Sequence, residues 1–190
     1  SSKKSLEVIK KNKNNGKKFS VGVSINNLSL NENDIGEFKT FLKISPPLRT
    51  EEDRLSLVQG IKENLIDVIV SDHLPEDEES KRLPFAQAAT GSIGIETLLP
   101  LALEMYHNDS LSLNKIIETL TINPSKILKI NKGSLKKGFD GDICIFDLEA
   151  PWKLDAEKLK SKSKNTAIED RKLQGKVLMT FLNGELVFNQ

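Results

Sequence analysis

The stretch DVIVSDHLPED, residues 67–77, places an aspartate and a histidine directly after a run of mostly β-branched apolar residues. Short runs of this kind predict a buried strand. In folds that alternate strands and helices, catalytic groups lie at the carboxyl ends of the strands. Asp72 is therefore a candidate base or metal ligand, with His73 as its companion. The alternative is that Asp72 only caps the following turn in a solvated loop.

The flanking residues predict helices and strands in alternation. We expect a helix over residues 4–14, a strand over 19–24, a helix that begins with a capping pair of Thr50 and Asp53, and a short helix capped at Asn123-Pro124. Apolar residues recur at the helical period in three runs: Leu55, Val58, Ile61 and Leu65, then Ile95, Leu98, Leu99, Ala102 and Tyr106, then Leu113, Ile116, Ile117 and Leu120. This alternation predicts an α/β fold with a parallel sheet over about the first 125 residues.

The pattern changes after Lys132, which divides the chain into predicted units of residues 1–132 and 133–190. DICIFD predicts one strand, and GKVLMTFLNGELVF predicts two strands joined by a hairpin turn at Asn183-Gly184. A polar excursion lies between these strands, with Trp152 as its one large apolar anchor. The chain should therefore close with a small β unit.

Composition excludes several classes of function. The 190 residues carry 28 Lys and Arg against 27 Asp and Glu. A net charge of +1 gives no excess of positive charge for binding nucleic acid or an anionic membrane. No run of residues is long and apolar enough for a membrane span, so a cytoplasmic protein is expected. Cys144, the one cysteine, alternates with isoleucines and is expected to be a buried structural residue. The start of the chain suggests a segment of a longer protein.

The residues themselves do not form a complete active site. Only two histidines occur, and His107 is expected to interact with the last carbonyls of a helix. A catalytic zinc needs three protein ligands, and neither a His-x-His pair nor another recognisable ligand spacing is present. The sequence also lacks a nucleophile elbow, so it does not predict covalent catalysis by acyl transfer.

Eight longer motifs together resemble the C-terminal half of dihydroorotases, which belong to the amidohydrolase superfamily. In chain order they are SINNLSLNENDIG, KISPPLR, VIVSDHLPED, KRLPFAQAATGSIGIETLLPL, TINPSKIL, GSLKKGFDGDICIFD, PWKLDAEKLKSKSKNT and LQGKVLMTFLNGELVF. The resemblance implies the C-terminal portion of a (βα)8 TIM-type barrel, from a metal-dependent hydrolase, plus a small β domain. It implies one or two zinc ions in the full-length family, with the ligand histidines outside this chain.

The resemblance also implies roles for individual positions. Asp72 matches the aspartate that contacts the metal and moves the proton from the metal-bound water to the leaving nitrogen. The substrate-side positions depart from the pattern of active enzymes, and they are Asn26 and Asn27, Ser45, Glu76, and Thr90 with Gly91. Glu76 stands where a histidine is expected. Its charge would oppose the substrate carboxylate by about 4 kcal/mol at a separation near 4 Å.

One branch of the family fits these departures. Dihydroorotase-like proteins with degraded sites serve as structural partners of aspartate transcarbamoylase, the preceding enzyme of pyrimidine biosynthesis. We therefore expect an oligomeric, non-catalytic partner of that enzyme. The alternative is an active zinc dihydroorotase when full length, and a third possibility is a hydrolase of another cyclic amide.

Overall fold

The computed structural model describes all 190 residues. Its α-helices are α1 (Lys3–Asn14), α2 (Ile25–Ser29), α3 (Glu51–Lys62), α4 (Glu78–Lys81), α5 (Leu98–His107), α6 (Leu113–Leu120) and α7 (Ile122–Leu128). Its strands are β1 (Gly22–Ser24), β2 (Val68–Val70), β3 (Ile143–Lys153), β4 (Lys172–Leu182) and β5 (Glu185–Asn189). Short 3-10 turns occupy Glu32–Ile35, Thr40–Leu42 and Ala156–Lys158. None of the helices has the length and apolar character that crossing a membrane requires.

A parallel strand pair forms the centre of the N-terminal part. β1 and β2 pair in parallel with Val23 opposite Ile69, and α3 lies in the connection between them. An isolated parallel bridge between His73 and Ser92 extends the pairing beyond β2. The predicted parallel α/β arrangement is thus confirmed for this part. The eight-unit barrel remains an expectation from the resemblance.

Helix α3 begins as predicted but buries a slightly different face. The Thr50 hydroxyl accepts the Asp53 N–H at 3.2 Å, which confirms the cap. Leu57 and Ile61 are buried, whereas Leu55 is 52% exposed, so the predicted apolar stripe is wrong at that position. Leu55 lies on the outer side because α3 packs against α1 and α2, and local periodicity does not encode the positions of those helices.

Two further helix boundaries differ from prediction. Helix α5 begins at Leu98, and Ile95 lies before it with 62% of its surface exposed. Helix α7 begins at Ile122 after Thr121, so Asn123 is inside the helix and is not its cap. The Asn123 side chain instead donates to the Asp67 carbonyl at 2.8 Å and ties α7 to the segment that leads into β2.

The β unit is a three-stranded antiparallel sheet in the order β3-β4-β5. Asn183 and Gly184 join β4 to β5 with φ angles of 52° and 83°, which confirms the predicted hairpin turn. The prediction of a buried Cys144 is wrong, because the thiol lies opposite Thr180 on an exposed part of β3. Strand-like alternation identified the sheet correctly, but no element of the chain covers this part of it.

The excursion between β3 and β4 packs back onto the N-terminal part. Leu154 and Ile168 belong to the same buried core as Ile25 and Leu101. Trp152 anchors its start, since its indole N–H donates to the Gly175 carbonyl at 2.9 Å. The boundary between residues 132 and 133 stays a prediction, but the excursion brings residues far apart in sequence to the loops after β2.

Candidate functional site

Asp72 lies just beyond β2, at the carboxyl edge of the parallel pair. It is half-buried and has a φ angle of 51°, in the left-handed region that few residues other than glycine adopt. Aspartate tolerates this conformation better than most residues, and such backbone strain clusters at functional sites. The location matches the sequence prediction. The role of Asp72 as a base or ligand stays a prediction.

Asn26 and Asn27 follow the neighbouring strand β1 and therefore lie at the same edge of the sheet. Ser24 caps the short helix that carries them, and both side chains are only 3% exposed. The Asn27 amide donates to the Pro47 carbonyl at 3.3 Å, which places it beside the loop that contains Ser45. The Asn26 Nδ2 group is buried without a partner, an unusual state for an amide.

The His73 ring is held by backbone amides. Its Nδ1 accepts hydrogen bonds from the N–H groups of Gly94 at 3.1 Å and Ile95 at 3.4 Å. Gly94 is required here, because a Cβ at this position would lie 2.3 Å from the Ser71 carbonyl oxygen. His73 thus joins the loop after β2 to the segment before α5, and only Nε2 remains for a ligand.

Glu76 and Gly91 are brought together by a residue that the sequence did not single out. Asn165 is 2% exposed, and its Oδ1 accepts the Glu76 N–H at 3.2 Å. Its Nδ2 donates to the carbonyls of Leu74 at 3.1 Å and Gly91 at 3.3 Å. The one available signal was the motif SKSKNT, which supported the resemblance without indicating a role for its asparagine.

Lys81 is a second buried residue that sequence reasoning missed. Its side chain is 0% exposed, and its ammonium donates to the carbonyls of Lys43, Ala89 and Gly91 at 3.2, 3.0 and 2.9 Å. Burial lowers the pKa of Lys81 to about 8, partly opposed by the Glu76 charge. In the sequence, Lys81 lies inside a run of charged residues that continues to Arg82 and is typical of a solvated surface, so nothing local indicated burial.

A cavity of about 400 Å³ lies beside Glu76. Five of its eleven lining residues are acidic: Glu76, Asp77, Glu78, Glu157 and Glu169. Lys162 and Lys164 are its two basic residues, and the Lys164 ammonium also donates to the carbonyls of Glu157 and Leu159. The cavity therefore has an excess of negative charge, which disfavours an anionic ligand.

The residues present do not form a zinc site. No group of three or more His, Cys, Asp or Glu side chains is arranged to hold a metal ion. Asp72 is the one predicted metal ligand, and the Nδ1 of neighbouring His73 is already bonded to amides. Because a catalytic zinc takes about three protein ligands, this chain alone does not fit the metal.

Comparison with known proteins supports the resemblance. The dihydroorotase of Ehrlichia canis (strain Jake) is 46% identical over 188 residues, which cover 99% of this chain and 42% of the relative. The dihydroorotase of Aquifex aeolicus (strain VF5) is 40% identical and is covered to 44%. The chain thus spans less than half the length of these curated relatives. The predicted resemblance to the C-terminal part of dihydroorotases is confirmed.

Solved structures and a family model extend the comparison. The L-hydantoinase (dihydropyrimidinase) from Arthrobacter aurescens superposes with a TM-score of 0.92 at 28% identity, over 100% of this chain and 43% of that chain. The dihydropyrimidinase from Brevibacillus agri NCHU1002, at 21% identity, shares the fold with a TM-score of 0.91 over the same fractions. The model of the Amidohydrolase family matches residues 5–187. Because this match includes nearly every residue, the chain belongs to the amidohydrolase family.

Proposed function

We propose that these residues are part of a dihydroorotase-like protein of pyrimidine biosynthesis whose site has diverged, and which acts as a structural partner of aspartate transcarbamoylase. The proposal concerns the whole protein, since the chain spans 42% of its Ehrlichia canis relative. The observation that carries the divergence of the site is the acidic cavity beside Glu76. The relatives named dihydroorotase support the family assignment.

The electrostatic argument against catalysis follows from Glu76. Dihydroorotate carries a carboxylate, and two like charges near 4 Å repel by about 4 kcal/mol at an effective dielectric constant near 20, close to a thousandfold in affinity. The surroundings of Glu76 are also negative, because four further carboxylates and two lysines line the cavity beside it. The buried amides of Asn26 and Asn27, two positions that depart from the pattern of active enzymes, further weaken the case for a catalytic site.

A binding experiment tests the partner role. The full-length protein would be mixed with aspartate transcarbamoylase from the same source and analysed by size-exclusion chromatography with light scattering. We expect a complex larger than either protein and a changed transcarbamoylase activity, with the isolated protein itself oligomeric. Separate elution with unchanged activity would contradict the proposal.

A second candidate function is an active zinc dihydroorotase, and the position of Asp72 at the carboxyl edge of β2 favours it. Such an enzyme requires further metal ligands from outside these residues, because Asp72 is the one ligand predicted here and no group of three or more candidate ligands is present. Dihydroorotate turnover and zinc content of the full-length protein distinguish the two candidates. Turnover that is lost in Asp72→Ala and kept in the exposed control Glu79→Gln would favour the enzyme over the partner.

A further inference from the structure

The Gly91 carbonyl is the meeting point of two buried side chains from different parts of the chain. Lys81 Nζ donates to it at 2.9 Å, and Asn165 Nδ2 donates to it at 3.3 Å. Lys81 is at the end of α4, whereas Asn165 is in the excursion between β3 and β4. Because both lone pairs of this carbonyl oxygen accept hydrogen bonds, the peptide group is held from two directions.

The backbone around Gly91 is irregular and is held by scattered bonds, such as the Gly91 N–H to the Lys43 carbonyl at 3.0 Å, together with these side chains. Residues 82–97 contain neither helix nor strand apart from the bridge at Ser92. Buried carbonyls outside regular structure need other donors, and here a buried ammonium supplies them. Lys81 bonds Ala89 and Gly91 on this segment, and it also bonds the Lys43 carbonyl two residues before Ser45.

Asn165 connects the same segment to the loop after β2. Its side chain bonds Leu74 and Glu76 in that loop and the Gly91 carbonyl in the segment before α5, so one amide group bridges two loops. Backbone hydrogen bonds continue the connection, because the Ile93 N–H donates to the Asn165 carbonyl at 3.1 Å and the Leu74 N–H donates to Ser92 at 2.9 Å. The three loops therefore share one network.

We propose that Lys81 and Asn165 are positioning residues: together they set the relative placement of the loops that carry Ser45, Glu76 and Gly91. The excursion between β3 and β4 thereby controls the shape of the predicted site, although it supplies none of the predicted substrate-side residues. This role concerns the same predicted site and so rests on the proposed function for its meaning. The hydrogen bonds themselves do not depend on catalysis or on a partner.

Hydrogen exchange measured residue by residue in the full-length protein tests this inference. Lys81→Met removes the ammonium at similar length, and Asn165→Asp removes the two Nδ2 donors while it keeps an acceptor for Glu76. In both variants we expect the amides of Leu74, Gly91 and Ile93 to exchange at least about tenfold faster, because their inter-loop bonds open locally. The buried amides of α3 should keep their wild-type rates.

Matched controls and a second readout separate positioning from general stabilisation. Lys62→Met and Asn114→Asp change exposed residues of the same types and should leave the three loop amides unaffected. The Ser92 nitrogen shares a peptide group with the Gly91 carbonyl, so its chemical shift should titrate with Lys81 near pH 8 and stop titrating in Lys81→Met. Glu76 raises the pKa of Lys81 and Lys43 lowers it, so Glu76→Gln should move the midpoint to lower pH.

Two outcomes would overturn the inference. The first is unchanged exchange at the loop amides in both variants, and the second is an equal acceleration in α3, which indicates global destabilisation. If Lys81→Met does not fold, Asn165→Asp still decides the question. Failure of aspartate transcarbamoylase binding, by contrast, would contradict only the proposed function and would leave these exchange rates as expected.

Discussion

The loops after β2 and the β3-β4-β5 sheet satisfy their backbone polar groups in opposite ways. The sheet uses its own ladder of antiparallel hydrogen bonds, with a tight turn at Asn183-Gly184. The loops combine scattered backbone bonds, such as the Gly91 N–H to the Lys43 carbonyl at 3.0 Å, with bonds from two buried side chains, Lys81 and Asn165, which are 0% and 2% exposed. A ladder distributes its bonds over many residues, whereas Lys81 and Asn165 each bond two or more loop carbonyls at once. Single substitutions should therefore have much larger effects in the loops.

The largest expected effect is steric and lies in the loops. In Gly94→Ala, the new Cβ would lie 2.3 Å from the Ser71 carbonyl oxygen, so backbone must move. We expect a loss of about 3 kcal/mol in the free energy of unfolding, the upper part of the range for overpacking. Chemical denaturation of the full-length protein measures it. Gly22→Ala in β1 is the control, because its Cβ meets a Val68 side-chain carbon at 3.3 Å, and a comparable loss there would contradict the steric explanation.

The next effect is a pH dependence that belongs to Lys81. Burial lowers its pKa from 10.5 to about 8, so between these values the unfolded chain binds more protons than the folded chain. The free energy of unfolding should consequently rise with pH in this window, by up to about 3 kcal/mol. The cost of burying the charged Lys81 ammonium is fully present below pH 8. The difference in unfolding free energy between the wild type and Lys81→Met, measured from pH 7 to 10.5, isolates this contribution. A constant difference would show that Lys81 does not titrate there.

A smaller effect is expected where the excursion leaves the sheet. Trp152→Phe removes the indole N–H that bonds Gly175, while it keeps most of the aromatic packing. We expect a loss of about 1 kcal/mol, the usual net value of one hydrogen bond. Thermal or chemical unfolding of the two proteins gives the number. A loss as large as that of Gly94→Ala would indicate that the excursion is as sensitive as the loops.

The smallest effect is expected one residue beyond Lys81. Arg82 forms an ion pair with Glu78, and both side chains are mostly exposed, at 72% and 62%. Arg82→Gln should change the free energy of unfolding by less than about 0.5 kcal/mol, because exposed pairs are screened by water and salt. The same denaturation experiment, repeated at higher salt, checks it. A larger loss would mean that charge in this region matters more than burial.

Much of the local structure was predictable from the sequence. The Thr50 cap, the helix predicted over residues 4–14 and the Asn183-Gly184 hairpin were correct, since each depends on contacts between residues a few positions apart. The start of α7 was wrong because Asn123 bonds the Asp67 carbonyl, 56 positions away. The exposure of Cys144 and Leu55 was wrong for a similar reason, since burial depends on which distant elements cover a face.

The sequence by itself determined the family, the alternation of helices and strands, and the placement of Asp72 after a parallel strand, because motif order and local periodicity are properties of the chain alone. Only the tertiary structure decided which residues hold the predicted site together. Asn165 bonds Leu74 across 91 positions, and Lys81 bonds Lys43 across 38. A lysine in a charged run becomes a buried donor only when folding surrounds it with carbonyls, and that environment is not encoded in the neighbouring residues.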